Sequence, residues 1–366
     1  MSKTKINIVL FGIGNVGSTL INQVVESYDF FKDKRKVVLN FPIILNSKLA
    51  FFNKENIQIN WQNNFDKHAI PYQITQVIDY IKNNNLDNII VVDATASQEF
   101  VKNYIQLIQA DFHIVAANKI ANTLHQDFYK EIRLNLKKHN KKFLYETNVG
   151  AALPVIKTIN DLHFSGDKIT KIRGVFSGTL SYIFNRFSTE QTAFSNILID
   201  AENLGLTEPD SRQDLSGKDV ARKLLILARE IEQEIEFSDI QIESLLLPNL
   251  NEENTKKEYQ NNKKLLDKPF EIAKITQLGT HVLRYIGEID LEAKKFQVKL
   301  ISEPQNSPLG QLKGSDNLIE IFTQTYGEIP IVIQGAGAGK QVTARGVLTD
   351  ILKISEHIKI KQPEFS

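Results

Sequence analysis

Residues Ile6–Val25, INIVLFGIGNVGSTLINQVV, decide the fold of the first part of this chain. Ile6–Phe11 is an apolar run short enough for one buried strand, and apolar residues recur at helical spacing after the glycines. The residues between them are Gly12, Ile13, Gly14, Asn15, Val16 and Gly17. A strand, a GxGxxG loop and a helix in this order indicate a dinucleotide-binding unit.

Each glycine of this loop has a separate expected task. Gly12 makes the tight turn, Gly14 lets the backbone approach a pyrophosphate, and Gly17 lets the helix pack closely on the strand. The N–H groups at the start of the helix then bind phosphate oxygens. We therefore predict that the whole loop, Gly12–Gly17, binds the cofactor.

The end of the second strand bears on which dinucleotide is bound. Phe41–Leu45 is the candidate strand, and Asn46, Ser47 and Lys48 follow it. An acidic residue at this point would bind the ribose hydroxyls and repel a 2′-phosphate. No carboxylate follows the strand here, so the sequence favours NADP and leaves NAD open.

Strands alternate with helices through the first 150 residues. Ile89–Val92, His113–Ala117 and Phe143–Tyr145 are further candidate strands, and a helix through Phe100 and Ile108 is expected between the first two, which indicates a parallel sheet. Thr95, Lys119 and Glu146 follow these strands, and ligands of such sheets bind beyond the carboxyl ends. Each of the three could also be an ordinary capping or surface residue.

The pattern of apolar and polar residues changes after about residue 155. A helical stretch is expected to about residue 235, and a polar, poorly patterned segment follows from 249 to 264. Four alternating runs then predict an antiparallel sheet: Val282–Ile289, Phe296–Ile301, Leu318–Thr325 and Pro330–Gln334. Gly335–Gly339 opens a last helix and is either a second phosphate-type loop or a plain tight turn.

Residues 205–223, GLTEPDSRQDLSGKDVARK, concentrate acidic and basic side chains. Val220, Leu224 and Leu227 recur at helical spacing, and Ser216 is the expected N-cap. Asp219 and Lys223 are four residues apart and so share one face at the edge of the apolar stripe. Partial burial would let Lys223 exchange a proton near neutral pH. An ordinary surface ion pair is the alternative.

Composition excludes several classes of protein. The net charge of +1 gives no reason to expect a nucleic-acid or membrane-surface partner. The chain has no cysteine, which excludes thiol catalysis, and its seven histidines show no zinc-site spacing. No targeting or spanning segment stands out, so we expect a cytoplasmic protein. The lysines of residues 256–264 are interpreted as a solvated face.

The chain resembles the homoserine dehydrogenase family from about residue 6 to about residue 355. The resemblance rests on eight blocks in the family's order: GIGNVGS at 12–18, DATASQ at 93–98, NKIANT at 118–123, LYETNVGAALPVI at 144–156, GVFSGTLSYIFN at 174–185, GLTEPDSRQDLSGKDVARKLLILARE at 205–230, VLRYIGEID at 282–290 and GAGAGKQVTARGV at 335–347.

The resemblance implies the interconversion of L-homoserine and L-aspartate 4-semialdehyde, a step toward threonine and methionine. It implies that Lys223 exchanges the proton on the reacting oxygen, with Asp219 beside it. It further implies that Glu208 holds the substrate's amino group near Asp214, and that Lys119 contacts cofactor and substrate.

The resemblance also implies the remaining ligand contacts. Thr95 would lie against the nicotinamide ribose, and the last glycine loop, with Gly339, would close over the cofactor. A monovalent cation, sodium, would be held by the Glu146 carboxylate together with the backbone carbonyls of Val149, Ala151 and Leu153. One departure is Ile120, where many members of the family have a second lysine.

The fold expected from these observations is α/β. A Rossmann-type domain (1–145 plus 335–366) would carry an inserted α+β region, divided into a dimerisation part (146–155 plus 290–334) and a catalytic part (156–289). We expect a homodimer, because the late strands need their faces covered. We also expect a monofunctional form without an aspartokinase or an ACT domain, and hence no inhibition by threonine.

Two alternatives stay open at this point. The first is another amino-acid dehydrogenase or reductase of the same architecture, which product analysis would distinguish by ammonia release. The second is a non-catalytic dinucleotide sensor, which would keep the glycine loop but would have no need of Asp219 and Lys223.

Overall fold

The chain divides into two compact units, each with its own sheet. The computed structural model describes residues 3–53, 57, 60–251 and 255–361. The first unit comprises residues 1–152 and 339–366, and the second comprises residues 153–338. The first unit is therefore built from two separate stretches of the chain.

The first unit is a sheet of seven strands with helices along the chain between them. Its elements are β1 (Thr4–Phe11), α1 (Asn15–Glu26), β2 (Val37–Leu45), β3 (Leu49–Phe52), α2 (Trp61–His68), β4 (Ile70–Pro71), α3 (Ile74–Asn83), β5 (Ile89–Asp93), α4 (Gln98–Val101), α5 (Tyr104–Gln109), β6 (His113–Ala116), α6 (Gln126–Lys138) and β7 (Phe143–Leu144). The sheet order is β4-β3-β2-β1-β5-β6-β7. Strands β2, β1, β5, β6 and β7 run parallel to one another. Strands β3 and β4, at one edge of the sheet, pair in the antiparallel direction.

Strand β1 lies at the centre of this unit and is covered on both faces. Ile6, Ile8 and Leu10 pack with apolar residues of α1 and of the last helix, Lys340–Lys361. Val9 and Phe11 point to the other face and pack with residues of α3 and α5. Alternate side chains of a strand point to opposite faces, so a run that is apolar at every position predicts burial on both.

The second unit is a mixed sheet with helices connecting and covering its strands. Its elements are α7 (Val155–Phe164), β8 (Ile169–Val175), α8 (Gly178–Thr189), α9 (Phe194–Asn203), α10 (Arg212–Leu215), α11 (Lys218–Glu230), β9 (Gln241–Ile242), α12 (Lys256–Asn262), α13 (Asp267–Ile275), β10 (His281–Asp290), β11 (Lys295–Pro304), α14 (Pro308–Gln311), β12 (Asp316–Thr323) and β13 (Ile331–Ala336). The sheet order is β13-β12-β8-β10-β11-β9. Helices α8 and α11 both pack on β10. The last helix of the chain, in the first unit, is α15 (Lys340–Lys361).

The α/β class is confirmed, but the stretch expected to be helical to about residue 235 is not helical throughout. Strand β8 interrupts it and lies between β12 and β10, antiparallel to both. Arg173 of β8 pairs with Glu303 and Glu320, which belong to strands more than a hundred residues further along the chain. Charged residues of this kind look solvent-exposed in the sequence, because their partners are remote.

Two smaller expectations also need correction. The helix expected through Phe100 and Ile108 is broken into α4 and α5. The predicted N-cap Ser216 is one residue too early, because Gly217 caps α11 with a φ of 73°. The Ser216 hydroxyl still accepts a hydrogen bond from the Lys218 N–H at 3.3 Å, so it contributes to the same turn.

Within the described part of the chain, every helix is too short or too polar to span a bilayer.

The glycines at the start of α1 allow a test of this packing. A Cβ at Gly17 would lie 1.8 Å from the Gly12 carbonyl oxygen, whereas a Cβ at Gly14 would meet nothing within 4 Å. Gly17→Ala should therefore lower the free energy of unfolding by roughly 1–3 kcal/mol, as overpacking does. Gly14→Ala is the matched control and should cost less than about 1 kcal/mol. Urea denaturation measures both, and equal losses would contradict the close packing at Gly17.

Candidate active site

The first glycine loop forms a cradle of backbone at the carboxyl end of β1. Gly12 has a φ of 94°, a left-handed conformation that favours glycine, and its N–H donates to the Leu45 carbonyl at 2.8 Å. Gly14 is the N-cap residue of α1 and has no side-chain cap. Gly14 and its neighbour Asn15 are the two exposed residues of the loop. The open space at Gly14 is where a pyrophosphate could approach the N–H groups of the helix, so these residues fit a dinucleotide.

The end of β2 is held by a turn that Asn46 organises. Its side-chain oxygen accepts hydrogen bonds from the N–H groups of Lys48 at 2.8 Å and Leu49 at 2.7 Å. The Tyr72 hydroxyl donates to the Asn46 carbonyl at 3.2 Å. Ser47 and Lys48 are exposed at the tip of the turn. The turn therefore presents a hydroxyl and an ammonium, with no carboxylate in residues 46–48.

A buried carboxylate, that of Asp93, organises the loops after β5 and β6. Its oxygens accept hydrogen bonds from the Thr95 N–H at 2.8 Å, the Tyr104 hydroxyl at 2.7 Å and the Asn118 amide at 3.0 Å. Burial raises the pKa of Asp93, and these hydrogen bonds act in the opposite direction. One side chain thus fixes the positions of two neighbouring loops.

Thr95 and Lys119 belong to these two loops, as the sequence predicts. The Thr95 hydroxyl oxygen accepts from the Ser97 N–H at 3.1 Å and lies 3.5 Å from the Asn118 amide nitrogen. Lys119 is half-buried and directly follows Asn118, at the start of the helical turn Ile120–Asn122. Both residues therefore lie at the carboxyl edge of the sheet, where α/β proteins bind their ligands.

The segment predicted to hold a cation begins in the first unit. Glu146 is buried, its N–H donates to Asp350 at 2.9 Å, and its carboxylate lies 3.6 Å from the Lys353 ammonium. Gly150 and Ala151 both have positive φ, so the chain turns sharply here. Val149 and Ala151 belong to the first unit, while Leu153 begins the second. Carboxylate and carbonyl oxygens are the ligands that hard cations prefer, so the chemical groups of these residues fit a cation site.

In the second unit Lys223 is buried and its ammonium is held by two acceptors. It donates to the Asp219 carboxylate at 2.8 Å and to the Phe176 carbonyl at 2.7 Å. Helix α11 carries both charged residues, whereas Phe176 directly follows the central strand β8. The predicted Asp219–Lys223 pair is present, and the burial of Lys223 distinguishes it from an ordinary surface ion pair, although the Asp219 side chain is 42% exposed.

The acidic segment before α11 is arranged around Asp214. Its carboxylate accepts a hydrogen bond from the Glu208 N–H at 2.9 Å. Burial raises the pKa of Asp214 to about 6, and the nearby charges of Glu208 and Asp219 act in the same direction. A hydrogen bond from Thr179 opposes this shift. The carboxylate of Glu208 itself belongs to an exposed residue, so it is available to a ligand.

A network of hydrogen-bonded polar side chains supports the acidic segment. Ser211 donates to Glu202 at 2.5 Å and shares a hydrogen bond of 2.9 Å with the Tyr259 hydroxyl. Lys263 is buried and pairs with the same glutamate. The interpretation of the lysines of residues 256–264 as a solvated face is therefore wrong for Lys263. Its burial follows from an acidic partner 61 residues earlier.

The chain is similar to known proteins over almost all of its length. A family model described as "Homoserine dehydrogenase" matches residues 154–352, and one described as "Homoserine dehydrogenase, NAD binding domain" matches residues 12–146. The homoserine dehydrogenase of Schizosaccharomyces pombe is 34% identical over 98% of this chain and 97% of its own length. The chain belongs to the homoserine dehydrogenase family.

Other members of the homoserine dehydrogenase family are larger. The bifunctional aspartokinase/homoserine dehydrogenase of Buchnera aphidicola is 41% identical over 96% of this chain but only 43% of its own length. The chain thus spans about two-fifths of the length of the bifunctional relatives that it matches. A hyperthermophilic archaeal homoserine dehydrogenase solved in complex with NADPH shares the fold, with 21% identity, a TM-score of 0.74 and coverage of 99% of this chain and 100% of that one.

Membership confirms the family resemblance inferred from the sequence. The individual residue roles stay predictions. The structure brings Lys223 and Asp219 together, and Asp214 with Glu208, within the second unit. It likewise brings Glu146 to Asp350 and Lys353 within the first.

Sequence reasoning missed several residues that organise the candidate site. Asp93 is the clearest, and a signal existed, since a carboxylate at a strand end directly precedes the predicted Thr95 loop. Phe176 contributes only its backbone carbonyl to the candidate site, so the identity of its side chain does not indicate this role. Asn317 of β12 is buried and donates to the same Phe176 carbonyl, but nothing in the surrounding GSDN turn sequence indicates it.

Proposed function

We propose that the protein catalyses the NADP-dependent interconversion of L-homoserine and L-aspartate 4-semialdehyde. The observation that carries this proposal is the buried Lys223 ammonium, held between Asp219 and the Phe176 carbonyl beside the acidic segment. Full-length similarity to the S. pombe homoserine dehydrogenase supports it. The direct test is NADPH oxidation with aspartate semialdehyde, and ammonia release would instead identify a dehydrogenase that acts at an amine.

The chemistry needs a proton at the oxygen that changes between carbonyl and alcohol. When bound, the nicotinamide supplies or takes up the hydride. In the reductive direction the Lys223 ammonium donates the proton and stabilises the charge that develops on oxygen. In the oxidative direction the neutral amine accepts it. Asp219 and the Phe176 carbonyl orient the Lys223 nitrogen in both directions.

The ammonium and carboxylate of the substrate need partners of opposite character. Glu208 is exposed in the acidic segment and is our candidate for the substrate ammonium, with Asp214 holding the Glu208 backbone. The start of α8, at Gly178 and Thr179, offers backbone N–H groups to the substrate carboxylate. Lys119 is proposed as a further contact to substrate and cofactor.

The cofactor we propose is NADP rather than NAD. The Gly12–Gly17 cradle would hold the pyrophosphate, with Thr95 at the nicotinamide ribose and Gly339 in the loop before α15. The turn at Asn46 presents Ser47 and Lys48 where a 2′-phosphate would need neutral or positive groups. The NADPH complex of the archaeal relative supports the same choice.

We propose in addition that sodium binds at Glu146 and the carbonyls of Val149, Ala151 and Leu153. The support is the donor set itself and the sharp turn at Gly150 and Ala151. We also keep the homodimer as a proposal. Its support is the edge strand β13 and the exposed Ile329 and Val332, because unpaired edges are normally covered. A cytoplasmic location stays a prediction.

The first prediction concerns the proton. Lys223→Ala should lower kcat by about 10²–10⁴-fold, the usual effect of losing an acid–base group. The dissociation constant of NADPH should change little, because the ammonium is assigned to the substrate. Arg222→Ala, an exposed neighbour on the same helix, is the matched control and should keep its turnover. A Lys223→Ala enzyme with most of its kcat would exclude the assigned role.

The second prediction concerns the choice of cofactor. Asn46→Asp should keep the turn, because a carboxylate oxygen can accept the same two N–H groups. The added charge should repel a 2′-phosphate and shift the ratio of kcat/KM for NADPH over NADH toward NADH. Asn46→Ser is the uncharged control. If the wild type already uses NADH as well as NADPH, this interpretation of the strand end is wrong.

The third prediction concerns pH. The pKa of Asp214 is about 6, so its carboxyl is charged above that pH and protonated below it. Loss of this charge should weaken attraction for the substrate ammonium, and KM for homoserine should rise as the pH falls through about 6. Asp214→Asn should abolish this rise while keeping a high KM at every pH. A KM profile that is identical in the wild type and Asp214→Asn would contradict the prediction.

A further inference from the structure

One buried carboxamide in the second unit is placed against the acceptor of the Lys223 ammonium. Asn317 of β12 is fully buried, and its side-chain nitrogen donates to the Phe176 carbonyl at 3.1 Å. The Lys223 ammonium donates to the same oxygen at 2.7 Å. The Phe176 carbonyl therefore receives two hydrogen bonds, one from a charged group and one from a neutral amide.

Two observations indicate that the Asn317 side chain does more than fill space. Its side-chain oxygen is buried and has no hydrogen-bond partner among the described residues, which costs stability compared with an apolar side chain of similar shape. A Cβ at Gly337 would lie 2.0 Å from the carboxamide, so the glycine loop after β13 packs directly on it. The carboxamide is thus confined between this loop and the Phe176 carbonyl.

We propose that Asn317 is a positioning residue for proton exchange. It fixes the direction of the Phe176 carbonyl, and this carbonyl, together with Asp219, fixes the Lys223 nitrogen. A carbonyl oxygen has two lone pairs, and occupying both removes its freedom to tilt away from the lysine. Asn317 acts only through Phe176 and Lys223, and the inference rests on the function proposed above.

Thr323 provides a contrast on the same strand. It is also buried, and its hydroxyl donates to Asp167 at 2.8 Å rather than to the Phe176 carbonyl. Removal of either side chain would disturb β12. Only the removal of Asn317 would release the acceptor of the lysine, so the two variants separate a positioning role from a purely structural one.

The test is a double-mutant cycle with Lys223. Asn317→Ala should lower kcat by about 10- to 100-fold, as expected for a misplaced reacting group, with less than a threefold change in KM for NADPH. In a Lys223→Ala background the same substitution should change kcat by less than twofold, because the group it positions is gone. Thr323→Ala should have the same effect in both backgrounds.

A second variant keeps the test valid if Asn317→Ala does not fold. Asn317→Asp has the same shape, and a carboxyl can donate to the Phe176 carbonyl only when it is protonated. Its kcat relative to the wild type at the same pH should therefore recover as the pH is lowered. Equal losses from Asn317→Ala in both backgrounds, or an Asn317→Asp enzyme that matches the wild type at every pH, would overturn the inference. A wild type without activity on aspartate semialdehyde would instead reject the proposed function.

Discussion

A buried ammonium must find hydrogen-bond acceptors inside the protein, and this requirement governs the second unit. Lys223 lies on α11, yet one of its acceptors follows β8 and the other is a turn earlier on its own helix. The helix and the end of the central strand are therefore held in one geometry. Because an isolated charge is costly to bury, the arrangement is stable only if both acceptors are in place. The acidic segment between α9 and α11 leads into α11, so its position depends on where this helix is held.

In the first unit a buried carboxylate has the corresponding role. Asp93 closes β5 and gathers donors from Thr95, Tyr104 and Asn118, so two loops are fixed by one carboxylate. In each unit a polar group at the carboxyl end of a central strand organises residues that the sequence assigns to ligand binding. Rigid strands thus determine the positions of groups on loops, which would otherwise be the more mobile parts of the fold.

Local patterns predicted most of the first unit and much of the second. The run from Ile6 and the glycines after it are local signals, because a strand and a turn depend on adjacent residues. The pair Asp219 and Lys223 is likewise fixed by helical spacing. Strand β8 could not be recognised in this way, since Arg173 is stabilised by Glu303 and Glu320, far along the chain. Lys263 and Asn317 were missed for the same reason: their partners are Glu202 and the Phe176 carbonyl.

The division of the first unit into two stretches has a consequence for biosynthesis. Helix α15 supplies Ala344, Val347, Leu348, Ile351, Ile354 and Ile358 to the core cluster that includes Ile6, Ile8 and Leu10 of β1. When the ribosome has made the first 152 residues, one face of their sheet still lacks these six side chains. The second unit, by contrast, is continuous and complete once residue 338 has emerged. The core of the first unit is therefore completed only after the second unit has been synthesised, and one apolar face of its sheet stays uncovered by α15 until then.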